Sequence, residues 1–307
     1  MNLPDYTNCT LCPRMCHVNR SVTTGYCGCS SHISAARAAL HKWEEPVLSG
    51  PEEEPGGSGA VFFSGCTLRC VFCQNHEIAA GAVGKPVTEE RLSRIFLELQ
   101  EKGANNINLV TATQFLPTVI PALQHAKKMG LTIPIVYNTG GYEKVETLRL
   151  LEELVDIWLP DCKYRSAELA ARYSRAADYP ETVKTALAEM VRQTGAPLFD
   201  RRGMMKKGVI VRHLVLPGCV SDSKDVLEYL WDTFGNQIYV SIMSQYTPLP
   251  HVAAYPEINR KVTDEEYEEI VDYARFLGMS QVYIQEGGCV GESFIPPFNY
   301  EGIERNV

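Results

Sequence analysis

The sequence predicts an α/β protein built as a partial (β/α)6 TIM-like barrel with a cysteine-rich N-terminal cap. Three observations lead there. After residue 59, short apolar runs alternate with amphipathic segments, the rhythm of βα units laid on a parallel sheet. The run of such units is too short for a closed barrel of eight, so the sheet stays open. Eight of the eleven cysteines fall within the first 73 residues, in tight clusters. The expected boundaries are a cap over 1–50, the barrel over 59–285 and a tail over 286–307.

Taken in order, residues 1–35 are cysteines and short turns. Ile33–Trp43 is expected to form a short helix, and the Gly-Pro-Glu-Glu-Glu-Pro-Gly-Gly-Ser-Gly stretch at 50–59 an exposed loop. Strands are expected at Ala60–Phe63, Ile107–Thr111, Ile133–Asn138, Ile157–Pro160, Val209–Leu216, Ile238–Met243 and Gln281–Ile284. Thr88 can cap a helix over Glu89–Glu101, Glu143 begins one through Leu154, Asp222 one through Phe234, and Thr263 heads Asp264–Leu277. Glu286–Cys289 reads as a turn, and the tail with Phe294, Pro296, Pro297, Phe298 and Tyr300 as a segment packed over the barrel edge.

The 307 residues carry a net charge of -8, with 45% hydrophobic and 21% charged residues. That balance fills a core and lacks the basic footprint of a nucleic-acid binder. No basic leader followed by an apolar run and no long uncharged apolar stretch is present, so a soluble, cytoplasmic protein with no membrane contact is expected. Clustered cysteines in such a chain point to metal or iron–sulfur ligation rather than disulfides.

The chemistry concentrates in Phe63-Ser64-Gly65-Cys66-Thr67-Leu68-Arg69-Cys70-Val71-Phe72-Cys73-Gln74-Asn75, directly after the first expected strand. Three thiolates spaced C-x3-C-x2-C can ligate three corners of a [4Fe–4S] cluster, and no nearby cysteine closes the fourth. An amino acid with a free amine and carboxylate can chelate the open iron. S-adenosylmethionine has both, and reductive cleavage of its sulfonium releases a 5′-deoxyadenosyl radical. A zinc knuckle, the competing reading, needs a fourth ligand at its own spacing.

These residues resemble the radical S-adenosylmethionine superfamily. In that family the residue before the third cysteine is typically aromatic and lies beside the adenine, which is the place of Phe72. Further matches in order and spacing are Tyr137-Asn138-Thr139-Gly140-Gly141-Tyr142, Trp158-Leu159-Pro160-Asp161-Cys162-Lys163 and Arg212-His213-Leu214-Val215-Leu216-Pro217-Gly218. They are similar to activating enzymes for glycyl-radical proteins, above all to proteins related to pyruvate formate-lyase activating enzyme. The resemblance implies Asn138, Thr139 and Asp161 near the methionine moiety or a monovalent cation, and Arg212 near its carboxylate. It also implies a reduced flavodoxin or ferredoxin as electron donor and an oxygen-sensitive protein. One departure stands out. Where the superfamily has a Gly-Gly-Glu-Pro stretch that receives the methionine amine, this chain reads Asn108-Leu109-Val110-Thr111-Ala112-Thr113-Gln114. The amine is then left to Thr111, Thr113 or backbone carbonyls.

Upstream, Cys9, Cys12, Cys16, Cys27 and Cys29 form C-x2-C-Pro-x2-C and C-x-C. A cap of this size has too little apolar content to fold alone and calls for a bound metal. Four of the five can ligate one ion or cluster, and the resemblance to radical proteins with similar four-cysteine patterns ahead of the barrel implies Cys9, Cys12, Cys16 and Cys27, as ligands of Zn2+ or of a second iron–sulfur cluster. His17 and His32 could each replace a thiolate. Asp161 and Lys163 should share one face beyond their strand and Cys162 the other, and His213 should be a core histidine.

Three functions follow. One is hydrogen abstraction from a glycine of a protein or peptide partner, one is radical modification of a small metabolite, and one is an electron carrier without catalysis. The βα scaffold with polar strand ends argues against the carrier.

Overall fold

The computed structural model describes residues 4–285 and 296–304. The sheet has the strand order β10-β9-β8-β6-β5-β4-β2-β1-β3. Its strands are β1 (Ser34–His41), β2 (Gly57–Phe63), β3 (Lys85–Pro86), β4 (Ala104–Val110), β5 (Ile135–Thr139), β6 (Ile157–Pro160), β7 (Leu198–Phe199), β8 (Met205–Leu214), β9 (Tyr239–Met243) and β10 (Val282–Ile284), with β7 pairing off the path to β8. From β2 to β10 the main path is parallel, while β1 runs antiparallel to β2 and β3 antiparallel to β1. The sheet is mostly parallel and does not close, because β1 and β3 end one edge and β10 the other.

Helices α1 (Pro46–Ser49), α2 (His76–Ala79), α3 (Glu89–Glu101), α4 (Leu116–Lys128), α5 (Val145–Arg149), α6 (Ala167–Ser174), α7 (Tyr179–Thr194), α8 (Val220–Phe234) and α9 (Asp264–Phe276) fill the crossovers. Helix α9 starts on a capping box, with Glu266 N–H donating to Thr263 Oγ1 and Thr263 N–H to Glu266 Oε2. Thr88 caps α3 by accepting from Arg91 N–H. Strand β2 is buried along its whole length, as a strand covered on both faces must be.

Three expectations are corrected. Ile33–Trp43 is not a helix: Ser34–His41 is β1, paired antiparallel to β2 with a register shift between Ala35 and Arg37. Its alanines favour a helix intrinsically, but sheet pairing and burial override that preference. The segment from Glu143 to Leu154 is helical only over α5, because the Glu143 carboxylate is consumed by two threonine hydroxyls instead of heading a helix. Helix α8 begins ahead of Asp222, whose carboxylate accepts the N–H groups of Arg165 and Ser166.

In the tail, Tyr300 N–H donates to Ala36 O and Ala38 N–H to Glu301 O. The tail thus lies along β1, and Phe298 packs edge-on to Phe62. The expected turn at Glu286–Cys289 and Phe294 lie outside the described residues. No helix among the described residues is long and apolar enough to cross a membrane.

Candidate active site

Strand β2 delivers the chain into the cysteine loop. Gly65 has φ +81°, and a Cβ there would stand 2.1 Å from Cys29 Sγ and 2.7 Å from Cys27 O. Only glycine allows the loop to approach the cap this closely. The loop is then fixed by its neighbours: Cys66 N–H donates to Cys27 O, Val71 N–H to Tyr173 O, and the Gln114 amide to Ser64 O and Gly65 O. Two contacts reach sulfur directly, Ser174 Oγ to Cys70 Sγ at 3.0 Å and Leu68 N–H to Cys66 Sγ at 3.4 Å.

Cys66, Cys70 and Cys73 line one cavity at the C-terminal ends of the parallel strands, where this architecture places its reactive groups. Burial pushes Cys70 above the usual thiol range and Cys73 up to about 12, so a metal bound there must displace protons. Phe72, Thr111, Asn138, Thr139, Asp161 and Arg212 line the same cavity. Phe72 is buried among Tyr164, Tyr173 and Tyr246, whose ring centroids are 6.4, 6.4 and 6.2 Å away. Thr111 ends β4 at φ +58°, a strained conformation for a β-branched residue, and its N–H donates to Asn138 O.

Asp161 and Lys163 form an ion pair at 2.5 Å on the cavity wall, with Cys162 buried behind them. Burial opposes the Lys163 charge, but Asp161 and the Cys70 and Cys73 sulfurs hold the ammonium above its usual range. His213 is a core residue, bonded to Cys162 O and Ser223 Oγ at 2.8 Å each.

Thr113 does not reach the cavity. Its hydroxyl bonds Tyr137 Oη at 2.9 Å and Glu143 Oε1 at 2.6 Å in the core. The positive φ at Thr111 turns the chain, so the two threonines no longer share a strand face. Arg212 lines the cavity but already faces two carboxylates, Glu44 at 3.1 Å and Glu45 at 3.7 Å. Glu44 is a cavity residue that sequence reasoning missed. It sits between an expected helix and an expected loop, and the adjacent pair of glutamates was its one signal.

In the cap, Cys9, Cys12, Cys16 and Cys27 surround a small closed pocket with Leu11, Arg20 and Tyr26. Cys29 lies outside that pocket, its thiol against Cys27 and donating to Ser64 O at 3.2 Å. Fully buried Arg20 ties the turns together through Cys29 O, Gln114 O and Ser30 O. His17 instead bonds Asn8. Among the described residues, no set of three or more His, Cys, Asp or Glu side chains is drawn in to metal-holding distances.

Residues 60–197 match the family model described as Radical SAM superfamily. An uncharacterized protein of Methanocaldococcus jannaschii is 28% identical over 292 residues, covering 91% of this chain and 77% of that protein. Among solved structures, Streptococcus suis SuiB bound to its precursor peptide SuiA superposes with a TM-score of 0.47 at 13% identity, over 72% of this chain and 46% of SuiB. This chain therefore spans less than half the length of SuiB. Methylornithine synthase superposes with a TM-score of 0.49 at 12% identity, over 74% of this chain and 71% of that one. The family match covers the three-thiol loop and four of the parallel strands beneath the cavity.

Proposed function

We propose that this protein is a radical SAM enzyme that abstracts hydrogen from a substrate held in the barrel cavity. The observation that carries the reading is that Cys66, Cys70 and Cys73 open together onto the cavity that Phe72, Asn138, Thr139 and Asp161 line. The donor set fits an iron–sulfur cluster: three thiols from one loop, backed by hydrogen bonds to two of the sulfurs. A [4Fe–4S] cluster bound there would supply the electron that cleaves S-adenosylmethionine to a 5′-deoxyadenosyl radical.

The chain's own groups do the rest. Phe72 offers a ring face or edge to the adenine, and its three tyrosine neighbours keep it from rotating away. Asn138 and Asp161 present oxygens to the methionine moiety or to a monovalent cation, Thr139 lines the same cavity with its hydroxyl held on Glu143, and Lys163 orients Asp161. Phe62, Val110, Leu214 and Met243 supply apolar wall that excludes water around a reactive radical. Reduced flavodoxin or ferredoxin is the proposed electron donor, and air should inactivate the protein.

By likeness to the activating enzymes, the hydrogen donor would be a glycine of a protein or peptide partner. The unpaired polar atoms on the inner cavity wall at Glu44 and Arg212 favour a second reading, a small polar metabolite. In the cap, Cys9, Cys12, Cys16 and Cys27 are proposed to hold Zn2+ or a second cluster in a closed site.

The test is anaerobic purification and reconstitution, followed by iron, zinc and sulfide analysis and a dithionite-dependent assay of 5′-deoxyadenosine. Wild type should form it, and Cys66→Ala/Cys70→Ala/Cys73→Ala should form none while keeping the metal of the cap. A fully loaded wild type that forms none with candidate substrates present would leave an electron carrier as the better description.

A further inference from the structure

The cavity wall carries four charges of alternating sign whose order runs away from the cysteine loop. Lys163, which feels the Cys70 and Cys73 sulfurs, pairs with Asp161 at 2.5 Å. Asp161 and Arg212 face each other as a backbone bridge pair between β6 and β8, near enough for the carboxylate to act on the guanidinium, and Arg212 Nη2 stands 3.1 Å from Glu44 Oε2. Glu44 is thus the end of the ladder remote from the thiols. Immediately beneath, Leu48 of α1 plugs the barrel against Val136, Leu159 and Ile210. Those three residues lie one inward-facing step before Asn138, Asp161 and Arg212 on their strands, so the polar ladder forms the floor of the cavity.

The hydrogen bonding of this floor is incomplete. The Glu44 side chain is 6% exposed, and its Oε1 accepts from Asn108 Nδ2 at 2.9 Å. Glu44 Oε2 and Arg212 Nη2 are close in distance but not aligned as a hydrogen bond. Both atoms, together with Arg212 Nε and Asn108 Oδ1, have no hydrogen-bond partner among the described residues. Glu45 lies 3.7 Å from the guanidinium on its other side, and burial holds its carboxyl above the usual range. Buried polar atoms are nearly always bonded, and a cluster of orphans on a cavity wall marks where a ligand bonds. An unpaired acid oxygen beside unpaired guanidinium hydrogens asks for a cationic donor and an anionic acceptor on neighbouring atoms. Few groups meet that pattern as directly as the ammonium and carboxylate of an α-amino acid.

We propose that Glu44 and Arg212 form a binding subsite for an α-amino-acid zwitterion, the ammonium on Glu44 and the carboxylate on Arg212, and that it receives the head group of the hydrogen-donating substrate. The proposal rests on the radical SAM reading, in which the amino-acid end of S-adenosylmethionine is held at the open iron beside the thiols. The same chemistry could come from S-adenosylmethionine itself. The position of Glu44 at the thiol-remote end assigns it to a separate amino acid.

Titration calorimetry on anaerobically reconstituted protein separates the sources. The probes are S-adenosylmethionine, methylthioadenosine, which lacks the amino-acid end, and each common free amino acid added to protein saturated with S-adenosylmethionine. The variants are Glu44→Gln and Glu44→Gln/Arg212→Gln, the second removing both members of the pair should the first fold poorly. We expect a free amino acid to bind wild type and to weaken by about tenfold or more in either variant, with S-adenosylmethionine nearly unchanged in Glu44→Gln. If S-adenosylmethionine weakens that much while methylthioadenosine does not, the zwitterion is its methionine end and the assigned source is overturned. If no amino acid binds and neither adenosyl ligand responds, Glu44 is only a counter-ion to Arg212 and the subsite is overturned. Wild type that binds no S-adenosylmethionine and forms no 5′-deoxyadenosine fails at the radical reading itself, whatever Glu44 does.

Discussion

The two groups of cysteines share a chemistry and differ in surroundings. In both, burial raises thiols: Cys12 in the cap and Cys73 in the barrel loop are each pushed up to about 12. Around the cap, four sulfurs face a closed pocket shared with Leu11, Arg20 and Tyr26. Around the barrel loop, three sulfurs face a cavity whose other walls are polar strand ends. A closed set of four ligands suits a structural site, whereas an open set of three leaves room for a reacting ligand. The difference lies in the scaffold that each loop is fastened to rather than in the thiols. The cap docks by Thr147 Oγ1 donating to Leu11 O and the Lys144 ammonium to Thr10 O.

The largest effect should come from breaking one group at a time. Cys70→Ala should abolish 5′-deoxyadenosine formation and leave the thermal midpoint nearly unchanged. Cys12→Ala should do the reverse, keeping most of the product rate but lowering the midpoint by about 10 °C through loss of metal-linked folding energy. Paired activity and calorimetric scans decide it. Loss of product in both variants with no change in midpoint would mean that the cap takes part in the reaction.

A second measurement bears on the joint between the regions. Glu143 lies fully buried where the cap docks, accepting from Thr113 and Thr139. Burial raises its carboxyl from 4.5 to about 7, against the lowering effect of those two bonds. Between these values the folded chain keeps a proton that the unfolded chain has lost, so stability falls as pH rises from 4.5 to about 7. The accumulated loss is about 3 kcal/mol above pH 7, and it is absent below 4.5. Urea midpoints of wild type should therefore decline between pH 5 and 7.5 more steeply than those of Glu143→Gln. Equal slopes would show that Glu143 does not titrate in this range.

The sequence made the cysteine loop and most parallel strands legible because their signals are local: ligand spacing within one loop, and apolar runs of strand length. Strand β1 was not legible, since Ser34–His41 is rich in alanine and becomes a strand only by pairing with β2. Thr113 is singled out by its place in the stretch that stands where the superfamily has Gly-Gly-Glu-Pro, and the positive φ at Thr111 turns it into the core instead. Glu44 left no signal beyond the adjacent pair of glutamates. Its meaning comes from Arg212 and Asn108, far away in sequence, and from the plug at Leu48 that sets its depth. Local chemistry is written in the chain, while a cavity floor is written in the packing.

The smallest effect probes one of the contacts between the two cysteine groups. Gly65 joins β2 to the barrel loop at φ +81°, and a Cβ would fall 2.1 Å from Cys29 Sγ and 2.7 Å from Cys27 O. Gly65→Ala therefore meets two obstacles, a left-handed backbone and a collision with the cap, together costing about 2 kcal/mol. Cys29→Gly clears the sulfur but neither the Cys27 carbonyl nor the backbone. The double variant Gly65→Ala/Cys29→Gly should thus recover only part of the stability lost relative to Cys29→Gly alone, as a urea double-mutant cycle would read. Full recovery would place the whole cost in the sulfur contact. No recovery would place it in the backbone and the carbonyl, making the closeness of the two cysteine groups incidental to how the loop is held.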